Sequence, residues 1–332
     1  MVQIFHESPS KFGPSVVTIG TFDGVHMGHQ QIIRQVVELA RENHLNSLAL
    51  TFDPLPRQVH RPSPGNKLIC TLGDRLLFLA ALGLDASWVQ HYDLDFAALT
   101  PKDFVVKCLV EPLQPRIIVV GKDTRFGAQN SGNIVTLTEL GAKYGFAVQV
   151  VPDIIDPITS KRWSSSWVRR LLETGNVDQA GYVLGRPHQV RGLVVHGKQR
   201  GRQLGFPTAN LDAEYVEAIP ADGVYAGWVR RAYPHGSNHP TSLEALPAAI
   251  SVGTSPHFGD VGRTVEAHVL GRSDLNLYGE EIVVQFVHRI RENRAFESLD
   301  ALLSRMDQDL LETATVLGVP HATRLAPDAV TV

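Results

Sequence analysis

The sequence predicts two domains, an N-terminal α/β domain with a doubly wound, Rossmann-like parallel sheet and a C-terminal all-β domain. At 332 residues the chain is longer than a typical single domain. Residues 15–151 alternate between nearly continuous apolar runs and helix-like segments, which is typical of parallel strands buried on both faces. After Pro187 the strand-like runs follow one another with only short turns between them.

The first half contains five strand candidates and helix candidates between them. The strands are rich in valine and isoleucine: SVVTIGTF, NSLALTF, ASWVQHY, RIIVVG and FAVQVV. The helix HQQIIRQVVELARENH follows the first strand. Two further helices are predicted to begin after Thr71 and Thr100, because each threonine is followed three residues later by an aspartate, close to a capping box.

The second half contains strands and one final helix. The strand candidates are HQVRGLVVHGK, GVYAGWVRRA, PAAISVGT, TVEAHVLG and EIVVQFVHRI, which together favour an antiparallel barrel or sandwich. The amphipathic stretch SLDALLSRMDQDLLETATVLG would pack its Leu/Met face on these strands. We place the boundary after Leu184, so that the domains span residues 1–184 and 185–332.

Composition and charge exclude several classes of protein. A net charge of −3 argues against a general nucleic-acid binder or a membrane-surface protein. No apolar run approaches the ~20 residues that span a bilayer, and the N-terminus lacks the regions of a signal peptide, so a cytoplasmic location is expected. The two cysteines, Cys70 and Cys108, lie in apolar surroundings and are expected to be buried thiols rather than a disulfide.

Two histidines, His26 and His29, stand where the first strand turns into a helix, in the stretch GTFDGVHMGHQ. A helix that begins directly after a strand offers free backbone N–H groups and a positive dipole end, which suit an anion. Histidines at that point can donate hydrogen bonds to phosphate oxygens as negative charge builds up. A capping histidine and a metal ligand are the alternatives, although a metal would need a third ligand nearby.

A second candidate phosphate site is the stretch KRWSSSWVRRLLETG, in which cations flank three serines at a helix start. Arg169 falls one helical turn beyond Ser165. This arrangement would suit a polyphosphate, and a capped, solvated surface helix is the alternative.

These segments resemble a known family. TIGTFDGVHMGHQ, TFDPLPRQV and SSSWVRRLL look like the three signatures of flavin nucleotidyltransferases, within the His-x-Gly-His nucleotidylyltransferase superfamily. The resemblance implies direct transfer of AMP from ATP to FMN, with FAD and pyrophosphate as products. By the same resemblance His26 and His29 stabilise the transition state, and Ser164 and Arg169 hold the β and γ phosphates.

The resemblance also implies binding residues for the two substrates. Further contacts to ATP fall at Gly20, Phe22, Asp23, Gly24 and Ser165, and the flavin side falls at Asp53, Pro54, Pro56 and Asp123. The chain departs from the family at Trp163, before the serines, and at Thr124, where an aromatic residue is usual.

The second half has its own candidate site in the glycine-rich basic loop GKQRGRQLGFPTANL. Such a loop suits a triphosphate, and Thr208 and Asn210 can offer oxygen atoms to Mg²⁺. Glu266 lies two residues before His268 on a predicted strand, so both side chains share a face. A plain barrel turn and a surface glutamate are the alternatives.

The order of the motifs GRQLGFPTANL, DGVYAGWV, SVGTSPHF, VEAHVL and NLYGEEIVVQFVHRIRENRAF resembles that of riboflavin kinases. The resemblance implies a six-stranded antiparallel barrel that phosphorylates riboflavin with ATP and Mg²⁺. Thr208 and Asn210 would bind the metal–nucleotide, Glu266 would be the general base and Arg291 would close over the flavin. Further ATP contacts would come from Gly197, Lys198, Arg202, Gly205 and Pro207. His257 and Gly271 depart from the residues usual in that family.

The whole chain therefore resembles the bifunctional bacterial riboflavin kinase/FMN adenylyltransferase family. Its expected partners are riboflavin, FMN, FAD and ATP, without nucleic acid or membrane. The alternative is a nucleotidylyltransferase for another phosphorylated acceptor, carrying a non-catalytic barrel that binds flavin or RNA. An RNA-binding barrel usually shows aromatic platforms, and the core of the basic loop holds only Phe206.

Overall fold

The computed structural model describes residues 2–10, 12–63, 67–196, 204–212, 217–232, 244–254, 263–272 and 274–324. The chain divides into two compact units, residues 1–165 and 166–332. Residues 166–184 are grouped with the second unit, whereas the sequence-based boundary lies after residue 184. That boundary stays a prediction.

The first unit is built on a parallel sheet, which confirms the predicted Rossmann-like α/β class. Its six strands have the order β1-β4-β3-β2-β5-β6. They are β1 Gln3–Phe5, β2 Ser15–Ile19, β3 Asn46–Asp53, β4 Ala86–His91, β5 Pro115–Gly121 and β6 Ala147–Val151. Two separate apolar clusters pack around this sheet, and both contain residues of β2, β3 and β5. These strands are therefore buried on both faces, which explains their continuous apolar sequences.

The first unit contains the following helices, two of which begin at the predicted threonine signals. They are α1 Met27–Glu42, α2 Pro56–His60, α3 Leu72–Ala81, α4 Leu94–Ala97, α5 Pro101–Val105, α6 Glu111–Leu113 and α7 Ile134–Tyr144, with a π-helical turn Val106–Val110 between α5 and α6. Thr71 and Thr100 are N-caps, because each hydroxyl accepts a hydrogen bond of 3.1 Å from the backbone N–H of the aspartate three residues later.

The second unit contains a closed antiparallel barrel of six strands in the order β10-β11-β8-β7-β12-β9. The strands are β7 His188–Val195, β8 Ala209–Leu211, β9 Gly223–Arg231, β10 Leu246–Thr254, β11 Arg263–Val269 and β12 Glu281–Arg291. The strand patterns identified five of them, and β8 was missed because three residues show no periodicity. Helices α8 Ser165–Glu173 and α9 Val177–Leu184 precede the barrel, and α10 Leu299–Leu317 follows it.

The final helix covers one part of the barrel, as its amphipathic pattern predicted. Leu310 and Ala314 of α10 are buried in a cluster with Phe206 and Leu270. Both cysteines are buried, as expected, and neither forms a disulfide. Within the described ranges, none of the helices is long and apolar enough to pass through a membrane.

Candidate active sites

The turn from β2 into α1 has an unusual backbone. Phe22 and Val25 adopt positive φ angles of 47° and 41°, and Gly24 between them has a φ of 82°. Bulky and β-branched residues rarely occupy this region, because the side chain then approaches the backbone too closely. Such conformations are maintained mainly at functional sites, so the turn itself indicates one.

A network inside the protein holds this turn in place. The Asp23 carboxylate accepts a hydrogen bond of 2.8 Å from the backbone N–H of Ile69 and pairs with Arg57 at 3.1 Å. The N–H of Gly24 donates to the sulfur of Cys70 at 3.3 Å. These polar groups stabilise the turn, and ATP binding at Asp23 and Gly24 stays a prediction. The turn also requires glycine at position 24, since a Cβ there would lie 2.7 Å from Ile69.

Phe22 and Gly28 pack against the two histidines. The side chain of Phe22 is buried, 2 % exposed, and its ring meets that of His29 edge-on at 5.3 Å. The ring of Phe22 therefore supports the imidazole of His29, and the ATP contact of Phe22 stays a prediction. Gly28 approaches the other histidine, because a Cβ there would lie 3.2 Å from the His26 ring.

The two histidines lie against each other at the start of α1. Their rings are stacked with centroids 3.6 Å apart. His26 is the N-cap, and its Nδ1 accepts a hydrogen bond of 3.4 Å from the backbone N–H of His29. Because Nδ1 accepts this hydrogen bond, a ring proton of His26 is assigned to Nε2. This nitrogen is then a hydrogen-bond donor.

His29 is held in its neutral form. Burial lowers the pKa of His29 well below its usual range, and the charges of His26, Arg75 and Arg162 lower it further. The ring keeps some exposure, but its Nδ1 atom is buried and has no hydrogen-bond partner. At neutral pH the His29 imidazole is therefore uncharged.

The predicted serine-rich helix start lies beside this turn. The Ser165 hydroxyl donates a hydrogen bond of 2.9 Å to the backbone oxygen of Asp23. Ser165 is also the first residue of α8, and Ser164 directly precedes it. Arg169 follows one helical turn later on the same helix. The hydroxyl of Ser165 thus connects the serine segment to the turn that carries the histidines.

The residues predicted on the flavin side lie at two strand ends. Asp53 ends β3, joins Pro54 through a cis peptide bond, and is followed by Pro56 as the first residue of α2. Asp123 comes after β5, and its exposed carboxylate pairs with Arg162 at 2.7 Å. β3 and β5 lie on either side of β2, so these residues and the histidine turn share the carboxyl edge of the sheet. In open α/β sheets ligands bind at such an edge, where successive strands turn to opposite sides.

The barrel has a cavity of about 450 Å³ that brings three predicted residues together. Thr208, Glu266 and Arg291 all line it. The remaining wall comes largely from apolar residues, including Phe206, and from one face of α10. A mostly apolar cavity with a few convergent polar groups is the usual form of a small-molecule site.

The predicted phosphate-site residues of the barrel are in contact with each other. Asn210 on β8 lies opposite Glu266 on β11 in the strand register. The Thr208 hydroxyl donates to a Glu266 carboxylate oxygen at 3.5 Å, and the Asn210 amide donates to the Thr208 hydroxyl and carbonyl oxygens, each at 3.2 Å. The pairing of the short strand β8 with β11 therefore positions these side chains beside Glu266, the candidate base.

Sequence reasoning gave no role to Asp309, although it is the partner of Arg291. The Asp309 carboxylate on α10 accepts hydrogen bonds of 2.8 to 3.0 Å from the guanidinium of Arg291. Arg291 was expected to close over the flavin, and the structure holds it at the cavity wall. An aspartate in an amphipathic helix carries no pattern that identifies such a partner.

The sequence identified His268 only as a residue on the same strand face as Glu266. The structure adds specific contacts of its side chain. Its Nδ1 donates a hydrogen bond of 2.8 Å to the carbonyl oxygen of Pro207, just before Thr208. Its Nε2 is buried without a partner, and burial lowers the pKa of His268. Neutral His268 therefore ties the candidate phosphate loop to the strand of the candidate base. The sequence signal for this role was the spacing of two residues between Glu266 and His268.

Some predicted residues cannot be placed. Gly197, Lys198, Arg202 and His257 lie outside the described residues. Gly205 has a φ of 85° and Gly271 a φ of 69°, which suits glycine at both turns.

Comparisons with known proteins match both halves of the chain. A model of the FAD synthetase family matches residues 8–166, and a model of the riboflavin kinase family matches residues 184–317. The bifunctional riboflavin kinase/FMN adenylyltransferase of Escherichia coli (strain K12) is 33% identical over 92% of this chain and 93% of its own length. The enzyme of the same name from Bacillus subtilis (strain 168) is 31% identical over 90% and 91%.

A solved structure is also similar. A crystal structure described as a macrolide-efflux protein from Streptococcus pneumoniae has a TM-score of 0.81 and 29% identity, covering 94% of this chain and 99% of that one. Its description names transport, while the matches of both family models and of the named relatives agree with each other. The chain therefore belongs to the bifunctional riboflavin kinase/FMN adenylyltransferase family.

Proposed function

We propose that this chain makes FAD in two consecutive reactions, one in each of the predicted domains 1–184 and 185–332. The C-terminal domain transfers the γ-phosphoryl group of ATP to the 5′-hydroxyl of riboflavin and yields FMN. The N-terminal domain then transfers the AMP group of a second ATP to the phosphate of FMN and yields FAD and pyrophosphate. We place both reactions in the cytoplasm, where ATP is available.

One observation carries the kinase assignment: Thr208, Glu266 and Arg291 line a single cavity. Phosphoryl transfer to an alcohol needs a group that accepts the hydroxyl proton and groups that position the phosphates. Glu266 takes the proton of the 5′-hydroxyl in this proposal. The apolar wall with Phe206 accepts the flavin rings, and Arg291 fixes their orientation.

Mg²⁺ is the expected companion of ATP at this site. Thr208 and Asn210 offer neutral oxygen atoms, which suit a hard cation. The described residues contain no group of three His, Cys, Asp or Glu side chains that could hold a metal by themselves. The donor set therefore fits an ion that is bound mainly by the phosphates of its nucleotide. When bound, Mg²⁺ supplies neutralisation of phosphate charge.

In the first unit the chemistry is a direct displacement at phosphorus. An oxygen of the FMN phosphate attacks the α-phosphorus of ATP, and the bond from that phosphorus to the bridging oxygen of pyrophosphate breaks. His26 and His29 donate hydrogen bonds to oxygens whose negative charge grows in the transition state.

Other side chains of this site bind the two substrates. Ser164 and Arg169 hold the leaving pyrophosphate in this proposal, together with Ser165, whose hydroxyl also fixes the turn. The flavin of FMN lies along the β3 end, at Asp53, Pro54 and Pro56, with Asp123 nearby.

A product assay tests the proposal. The protein is incubated with ATP and Mg²⁺ and either riboflavin or FMN, and the flavins are separated by chromatography. We expect FMN and then FAD from riboflavin, and FAD alone from FMN. Chelation of the metal should stop both. Failure to form FMN from riboflavin would contradict the kinase assignment, and failure to form FAD from FMN would contradict the adenylyl-transfer assignment.

A further inference from the structure

Arg75 of α3 is a fully buried arginine, 0% exposed. Its Nη1 donates hydrogen bonds to the carbonyl oxygen of Phe52 at 2.8 Å and to the hydroxyl of Thr51 at 3.1 Å. Its Nε and Nη2 atoms are buried and make no hydrogen bond. Among the residues that the structure describes, no carboxylate pairs with it.

Such an arrangement is costly for the empty protein. Burial of a charged guanidinium without a counter-charge is strongly unfavourable. The neighbours Leu76 and Leu79 on the same helix are buried apolar residues, which are the usual choice at such positions. The stability of the core therefore does not explain why a charged residue occupies position 75.

The hydrogen bonds of Arg75 connect it to two segments of the proposed adenylyl-transfer site. Phe52 directly precedes Asp53, at the strand end assigned to the flavin side. The Thr51 hydroxyl that accepts from Arg75 donates in turn to the carbonyl oxygen of Thr21 at 3.2 Å, within the turn after β2. A single buried side chain thus joins the end of β3 to the turn that presents His26 and His29.

We infer that Arg75 is a positioning residue for adenylyl transfer: it fixes these two segments relative to each other, and the substrate phosphates balance its charge. Arg75 is too deeply buried to touch a substrate. It acts through Thr51, Phe52 and the low-dielectric interior, in which a fixed cation attracts anions more strongly than in water. The inference rests on the proposed adenylyl-transfer function of this unit.

Two variants separate charge from hydrogen bonding. Arg75→Gln keeps a donor for Phe52 but removes the charge, whereas Arg75→Lys keeps both. Arg34→Gln, at an exposed position on α1, is the matched control. We expect Arg75→Gln to lower kcat/KM for FAD formation from FMN about tenfold or more, as for lost interactions with a charged group. Arg75→Lys should retain most of the activity, and all three variants should phosphorylate riboflavin normally.

Binding of an anion gives a second measurement that does not need catalysis. Pyrophosphate, a product of the proposed reaction, is added during thermal melts. We expect it to raise the Tm of the wild type, Arg34→Gln and Arg75→Lys similarly, and that of Arg75→Gln less. A wild type that makes no FAD but shows this pattern would contradict the proposed function and still support the role of Arg75.

A spectroscopic measurement follows the charge itself. The charged and titratable groups that act on the His29 ring are His26, Arg75 and Arg162. Titration by NMR should show a higher pKa for His29 in Arg75→Gln than in the wild type or Arg75→Lys. Equal FAD formation and equal pyrophosphate stabilisation in the Gln and Lys variants would overturn the inference. So would misfolding of both variants beside a normal Arg34→Gln, since Arg75 would then serve stability alone.

Discussion

The carboxylate of Asp309 on α10 holds the guanidinium of Arg291 on β12 through hydrogen bonds of 2.8 to 3.0 Å. Asp309 is 5 % exposed and Arg291 15 %, so little solvent weakens the pair. The pair connects the terminal helix to the barrel, and both residues line the cavity assigned to riboflavin. One carboxylate therefore sets both the position of the helix and the orientation of a cation in the site.

Replacement of Asp309 should affect stability and substrate binding together. Asp309→Asn leaves Arg291 buried without its counter-charge, so we expect a loss of about 3 kcal/mol in the free energy of unfolding. The KM for riboflavin should also rise, because Arg291 is no longer fixed. Urea unfolding and kinase assays measure the two effects. The matched control is Asp307→Asn on the same helix, whose ion pair with Arg324 is 3.9 Å long and largely exposed, and it should change neither quantity.

The two histidines should serve only one of the two reactions. His26→Ala and His29→Ala, made separately, should each lower FAD formation from FMN by roughly a hundredfold or more, as for the loss of one transition-state donor. FMN formation from riboflavin should stay near the wild-type rate. His6→Ala, at an exposed position of the same unit, should change neither rate. An equal loss of both products in a folded variant would contradict the assignment of one reaction to each unit.

Glu266 should show the opposite dependence. Glu266→Gln keeps the size of the side chain and removes the base, so riboflavin phosphorylation should fall by a factor on the order of 10² to 10⁴. FMN supplied from outside should still be converted to FAD normally. Glu280→Gln, which removes an exposed partner of Arg231, is the control. Normal phosphorylation by Glu266→Gln would make Glu266 a structural strand residue.

Acidification should destabilise the second unit through His188. Its Nε2 donates to the carbonyl oxygen of Ala218 at 2.7 Å, and burial lowers the pKa of His188 to about 4. In the unfolded chain this histidine takes up a proton near pH 6.5, whereas in the folded protein it does so only near pH 4. Its contribution therefore lowers the free energy of unfolding by about 2 kcal/mol at pH 5 and leaves it unchanged at pH 7.5. The Tm should therefore fall less between pH 7.5 and 5 in His188→Gln than in the wild type. His321→Gln, at an exposed position, should behave as the wild type.

The length of a kinase fragment should decide its stability. The sequence predicts that a fragment from residue 185 to 332 folds and phosphorylates riboflavin. In the structure α9 packs on β7 and β12, and Val177, Ala180, Val183 and Leu184 are buried. A fragment from residue 166 should therefore melt at a higher temperature than one from residue 185, because each buried valine or leucine contributes about 1.5 to 3 kcal/mol. Equal melting temperatures would show that α9 contributes nothing to the barrel.

The sequence alone determined the classes of both units and the local signals within them. Continuous apolar strands, the threonine N-caps and the helix that begins after His26 are all encoded within a few neighbouring residues. The candidate phosphate-binding and metal-binding motifs were detectable for the same reason, since Thr208 and Asn210 stand two positions apart. The short strand β8 was missed because three residues carry no period.

Only the tertiary structure decided which groups meet across the chain. It showed that the carboxylate of Asp23 serves the turn, that Asp309 holds Arg291, and that Arg75 joins the β3 end to the turn after β2. The identity of an aspartate or arginine in a sequence does not reveal whether the side chain binds substrate, a counter-charge or a backbone carbonyl. Strand order and helix packing bring these residues together, and neither is recorded in the spacing of neighbours along the chain.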